Sequence, residues 1–113
     1  MAITLESMQR RVAEFRDERD WAQFHSPKNL AMALSVEAGE LLELFLWRDD
    51  AAPLKKARIS EEMADVLIYL LSLADVIEVD LEEAIEMKLV VNAKKYPADL
   101  VRGKAEKYSD YQR

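Results

Sequence analysis

Two acidic pairs set inside apolar helical stripes limit what this chain can become. Glu37 and Glu40 are three residues apart. On a helix turning roughly 100° per residue they lie about 60° apart, on a face shared with Ala33, Leu34, Leu41, Leu44 and Trp47. Glu62 and Asp65 repeat the spacing on a face shared with Val66, Tyr69, Leu73 and Val76. Each of two helices therefore points two carboxylates where water is scarce.

Such a cluster needs compensation. At about 6 Å and an effective dielectric of about 20, a carboxylate pair repels by roughly 3 kcal/mol, so four together cost on the order of 10 kcal/mol before desolvation. No Lys occupies a matching position on the two stretches, and the single His lies elsewhere. A hard divalent cation suits all-oxygen ligands, and Mg²⁺ takes phosphate oxygens readily as further ligands. A lone Glu-x-x-Glu is ordinarily a solvated helix face; two such pairs amid Leu, Val and aromatic residues are harder to explain that way. Glu43 and Glu61 lie toward the edges of these faces, and Glu61 is a candidate partner for a water.

The rest of the chain supplies the frame. Its 113 residues are expected to form a single domain over 1–113, and two Gly and three Pro favour long helices over a sheet with many turns. The class is all-α. Thr4 is placed to cap a first helix with Leu5, Met8, Val12 and Phe15 on one face. Ser26-Pro27 starts a second, from about Pro27 to Trp47. This helix is apolar on its far side too, through Val36, Ala38, Leu42, Phe45 and Leu46, which predicts burial on every side within a homo-oligomer. A third runs from about Leu54 to Glu78, with Lys55, Lys56 and Arg58 polar at its start. Asp80 caps a fourth to about Tyr96, ended by Pro97. The tail from about 98 is expected to be partly ordered. A short connection between the second and third helices packs them together and joins the acidic faces.

Composition excludes several functions. A net charge of −6 argues against nucleic-acid or anionic-membrane surfaces. The absence of Cys removes disulfides and thiolate metal sites. The opening residues have neither a basic start nor an apolar core, so no signal peptide is expected, and no run is long enough to span a bilayer; a cytoplasmic location is the expectation. Di-iron and di-manganese bundles need Glu-x-x-His on two helices, and here His25 is alone, in the loop before the second helix. It reads as a structural loop histidine or as a substrate contact. Lys88, Asn92 and Lys95 fall on one polar line of the fourth helix, either a wet face or the cations and amide that a metal-bridged anionic substrate requires. Trp21, Trp47 and Tyr69 read as core residues by default, although Trp47 and Tyr69 share faces with the acidic pairs and could wall a pocket for a flat ring.

In combination these motifs resemble the MazG-like, all-α nucleoside triphosphate pyrophosphohydrolases. Arg19-Asp-Trp21, Phe24-His25-Ser-Pro-Lys-Asn29, Glu37-Ala-Gly-Glu40-Leu, Glu61-Glu-Met-Ala-Asp65-Val-Leu-Ile-Tyr69 and Lys95-Tyr-Pro97 are similar to those of the dCTP pyrophosphatase branch. The resemblance implies a four-helix bundle core assembled as a dimer or as a homotetramer of two dimers. It also implies Mg²⁺-dependent hydrolysis between the α and β phosphates, giving a nucleoside monophosphate and pyrophosphate. Glu37, Glu40, Glu62 and Asp65 would hold magnesium, with Glu40 or Glu61 assisting the attacking water. Trp21, Trp47 and Tyr69 would line the nucleoside pocket, and Lys88, Asn92 and Lys95 would contact phosphates, sugar or base. One departure bears on cytosine preference: Val12 stands where vertebrate members of the branch carry a His. The rivals are the same chemistry on dUTP or phosphoribosyl-ATP, and a non-enzymatic helical oligomerisation module.

Overall fold

The computed structural model describes residues 2–47 and 56–105. They are all-α: α1 (Leu5–Glu18), a 3₁₀ turn (Ala22–Phe24), α2 (Pro27–Glu43), α3 (Lys56–Ile77), α4 (Leu81–Lys95) and the single turn α5 (Ala98–Val101). The chain divides into two compact units, Met1–Val79 and Asp80–Arg113. No helix among the described residues is long and apolar enough to cross a membrane.

In the first unit α3 is the central element, packed against both α2 and α1. The helix starts follow local chemistry. Thr4 Oγ1 accepts the Ser7 amide at 3.0 Å while Ser7 Oγ accepts the Thr4 amide at 2.9 Å, a reciprocal cap that satisfies two orphan donors. Ser26 Oγ takes the Asn29 amide at 3.1 Å, and Pro27 fills the first helical position. Asn29 Nδ2 then donates to the Phe24 carbonyl at 3.1 Å, tying the 3₁₀ turn to the start of α2.

Leu30, Leu71 and Ala74 are buried, and so are Ser72 and Glu62. Ser72 satisfies its hydroxyl on the Ile68 carbonyl one turn back. Two polar ties fix α1 on α3: Gln9 Nε2 donates to the Leu71 carbonyl at 3.1 Å, and Arg16 pairs with Asp75 at 3.0 Å.

Helix ends depart from the sequence expectation at one place. The α-helical part of α2 stops at Glu43, not at Trp47. Leu44, Phe45 and Leu46 donate to carbonyls three residues back, a tightened last turn, and Trp47 follows at φ 68°. The far side of α2 is also not covered within the single chain: Val36, Leu42 and Leu46 are exposed. The expected start of α3 at Leu54 lies outside the described residues, as do the connection before it and the tail beyond 105.

In the second unit Asp80 Oδ1 accepts the Glu83 amide at 3.1 Å, as its capping role requires. Glu82 and Glu83 in the first turn and Lys94 and Lys95 in the last complement the dipole of α4. Pro97 follows its end, and the chain then forms the single turn α5.

Candidate metal centre

Glu37 and Glu40 project from α2 and Glu62 from α3, and one oxygen of each lies within 4.8 Å of the others. Helical spacing brings the first two together, and the packing of α2 on α3 brings the third. Glu62 is 5% exposed. Its Oε1 takes the Arg58 Nε at 3.2 Å, while its Oε2 is buried with no hydrogen-bond partner. Glu37 Oε2 is buried and unpartnered in the same way. Two buried carboxylate oxygens without donors are costly, and a proton or a cation would relieve that cost.

Electrostatics point the same way. The Glu37 carboxyl is raised from its ordinary 4.5 to about 7, first by desolvation, then by the hydrogen bond its protonated form makes to Glu40. The negative charges of Glu40 and Asp65 and a hydrogen bond to Glu62 push in the same direction. Near neutrality this site therefore takes up a proton when nothing else positive is present. The donor set is all oxygen and concentrated, which fits a hard divalent cation such as Mg²⁺.

The remaining sequence candidates are spread over both units. Asp65 is half-buried one turn after Glu62 and acts on Glu37 through its charge; Glu61 is exposed. Tyr69 is half-buried two turns after Glu62 on α3. Trp21 follows the end of α1, with its ring edge-on to Phe15 at 5.9 Å, and Arg19 lies over the Phe15 ring at 3.6 Å. His25 is half-buried, with Nδ1 enclosed and unpartnered. On α4, Lys88 is exposed, and Asn92 and Lys95 are half-buried.

One reading is corrected. Trp47 does not continue the acidic face of α2 as a helical residue, because the helix has already ended, and it is 98% exposed within the single chain. One protein cation does reach the cluster: Arg58 Nε pairs with Glu62 Oε1 at 3.2 Å. By sequence Arg58 belongs to the polar start of the third helix. The i, i+4 spacing of Arg58 and Glu62 was the signal that identifies the pair.

The chain is similar to several known proteins. The pattern of the MazG-like family matches residues 32–111, which include all four acidic positions. The chain is 49% identical over 117 residues to dCTP pyrophosphatase 1 of Rattus norvegicus, covering 97% of this chain and 69% of the relative. It is 46% identical over 114 residues to dCTP pyrophosphatase 1 of Homo sapiens, covering 95% and 67%. The crystal structure of a pyrophosphatase from Archaeoglobus fulgidus superposes with a TM-score of 0.79 at 42% identity, over 86% of this chain and 95% of that one.

Proposed function

The chain belongs to the MazG-like family, and on that premise we propose that it is a nucleoside triphosphate pyrophosphohydrolase acting on dCTP or a related modified deoxynucleotide. The products are the nucleoside monophosphate and pyrophosphate, and the role is sanitation of the nucleotide pool in the cytoplasm. One observation carries the reading: Glu37 and Glu62 each keep a buried carboxylate oxygen without a hydrogen-bond partner, in a cluster where one oxygen of each lies within 4.8 Å of one from Glu40.

Glu37, Glu40, Glu62 and Asp65 would hold Mg²⁺. When bound, the metal neutralises phosphate charge and acidifies a water. Glu40 or Glu61 accepts the proton of the water that attacks the α-phosphorus. Lys88 and Lys95 oppose charge on the departing pyrophosphate, and Asn92 contacts sugar or base. Trp21, His25, Trp47 and Tyr69 contact the nucleoside. Trp47, left in solvent by its own chain, would do so across a subunit boundary in a homo-oligomer, a dimer or a tetramer of two dimers.

Assaying the eight common nucleoside triphosphates with Mg²⁺, by chromatography of products, tests the substrate. Monophosphate from dCTP is expected, and preference for dUTP would move the same chemistry to another base. Glu62→Ala and Asp65→Ala should each abolish pyrophosphate release while the helical circular dichroism spectrum persists; activity surviving both changes refutes the metal role. A non-enzymatic helical module, with protein cations on its acids as Arg58 sits on Glu62, would release no heat when titrated with Mg²⁺ and hydrolyse nothing.

A further inference from the structure

The outward face of α2 carries an arrangement of charge that its own chain leaves unexplained. Lys28 stands in the first turn and Glu43 closes the helix, with no acid at the positive end and no base at the negative end. Each charge thus opposes the dipole of the helix that carries it. Both side chains are exposed, and neither has an ion-pair partner among the described residues. At roughly 100° per residue, Lys28, Met32, Ser35, Val36, Gly39 and Glu43 fall within one stripe about 100° wide, on the side opposite buried Leu30.

Between the two charges the stripe is apolar and uneven. Met32 is 57% exposed and Val36 60%. Ser35 turns its hydroxyl back to the Ala31 carbonyl at 3.1 Å, so it presents no unsatisfied polar group. Gly39 has open space where a Cβ would stand. A glycine inside a helix costs roughly 1 kcal/mol relative to Ala, and nothing among the described residues approaches closely enough to require it.

We propose that this face pairs with the same face of a second copy, with the two α2 helices antiparallel about a two-fold axis between Ser35 and Val36. In that register Lys28 faces Glu43 of the second copy at both ends, about 22 Å apart along the helix. Met32 enters the gap left by Gly39, and Ser35 meets Val36, a small residue against a larger one each time. Each misplaced end charge also comes to lie beside the helix end of the opposite sign. A parallel pairing would set Lys28 on Lys28 and Glu43 on Glu43. The register rests on the reading that the chain self-associates, and it names the surface and the orientation.

Sedimentation equilibrium of the full chain and its charge-swapped variants tests it. Lys28→Glu alone, or Glu43→Lys alone, should weaken self-association by about tenfold or more, because each places like charges at both ends of the contact. The double variant should return to within about threefold of the parent. Single swaps that leave the association constant unchanged overturn the surface, while self-association itself stands. A double variant weaker than either single one overturns the antiparallel orientation. A parent chain that is monomeric at about 100 µM overturns both this surface and self-association. The chain has no Cys, so Met32→Cys combined with Gly39→Cys should oxidise to a covalent dimer, and Met32→Cys alone should not. If the paired-cysteine chain fails to fold, the charge swaps decide.

Discussion

Glu37 holds a proton to about pH 7 in a folded chain whose unfolded form releases it near 4.5. Between those values the native state binds more protons than the unfolded state, so stability falls as pH rises through the window. Below 4.5 this contribution is fully present; above 7 it is lost. Glu37→Gln removes the dependence. Metal-free parent protein should therefore melt about 5 °C lower, relative to the Gln variant, at pH 8 than at pH 4.5. Thermal unfolding across that range checks it, and parallel curves would place Glu37 in a more solvated setting. Mg²⁺ should raise the parent's melting temperature more at pH 8 than at pH 5, since cation and proton compete for the same oxygens. The acids of this site were legible in the sequence because a three-residue spacing within an apolar stripe has few other uses. Arg58 was less legible, because among the polar residues at the start of the third helix only its i, i+4 spacing to Glu62 ties it to the site.

At the scale of elements, α1 and α3 end in the same way. Trp21 N–H donates to the Arg16 carbonyl and Val79 N–H to the Ala74 carbonyl, each spanning five residues, with Asp20 at φ 54° and Glu78 at φ 59° in between. These are left-handed terminations built without the glycine that usually takes the position. Asp20 has some compensation, since Gln23 Nε2 donates to its carboxylate at 3.1 Å. Glu78 has no such bond among the described residues. Glu78→Gly should accordingly stabilise the chain by about 1 kcal/mol, and Asp20→Gly by less. The midpoint of urea unfolding reads both, and an equal or reversed order would contradict this account. Helix starts at Thr4, Ser26-Pro27 and Asp80 were readable because a cap is a local side-chain contact. The end of α2 was not readable: Leu44-Phe45-Leu46 continues the apolar pattern, and no Gly or Pro marks the stop at Glu43.

For the whole molecule, what matters is how little apolar surface one copy encloses. Among the described residues the buried apolar side chains are Leu30, Leu71 and Ala74, while Val36, Leu42, Met63, Ile85 and Leu89 are all exposed. Burial stabilises at about 25 cal/mol per Å², so a chain that leaves such side chains in water forgoes much of what should offset its conformational entropy. Covering them with a second copy makes stability depend on concentration, because dilution favours dissociation and dissociation returns those side chains to water. A hundredfold dilution costs a dimer about 2.7 kcal/mol. The melting temperature without nucleotide should therefore rise by several degrees, about 5 °C or more, between roughly 1 µM and 100 µM chain, as followed by calorimetry. Lys28→Glu should flatten that rise within the same range, since it weakens the association without touching Leu30, Leu71 or the acidic cluster. A melting temperature independent of concentration would mean that the monomer's sparse core suffices, and the apolar outer face of α2 would then need a different occupant.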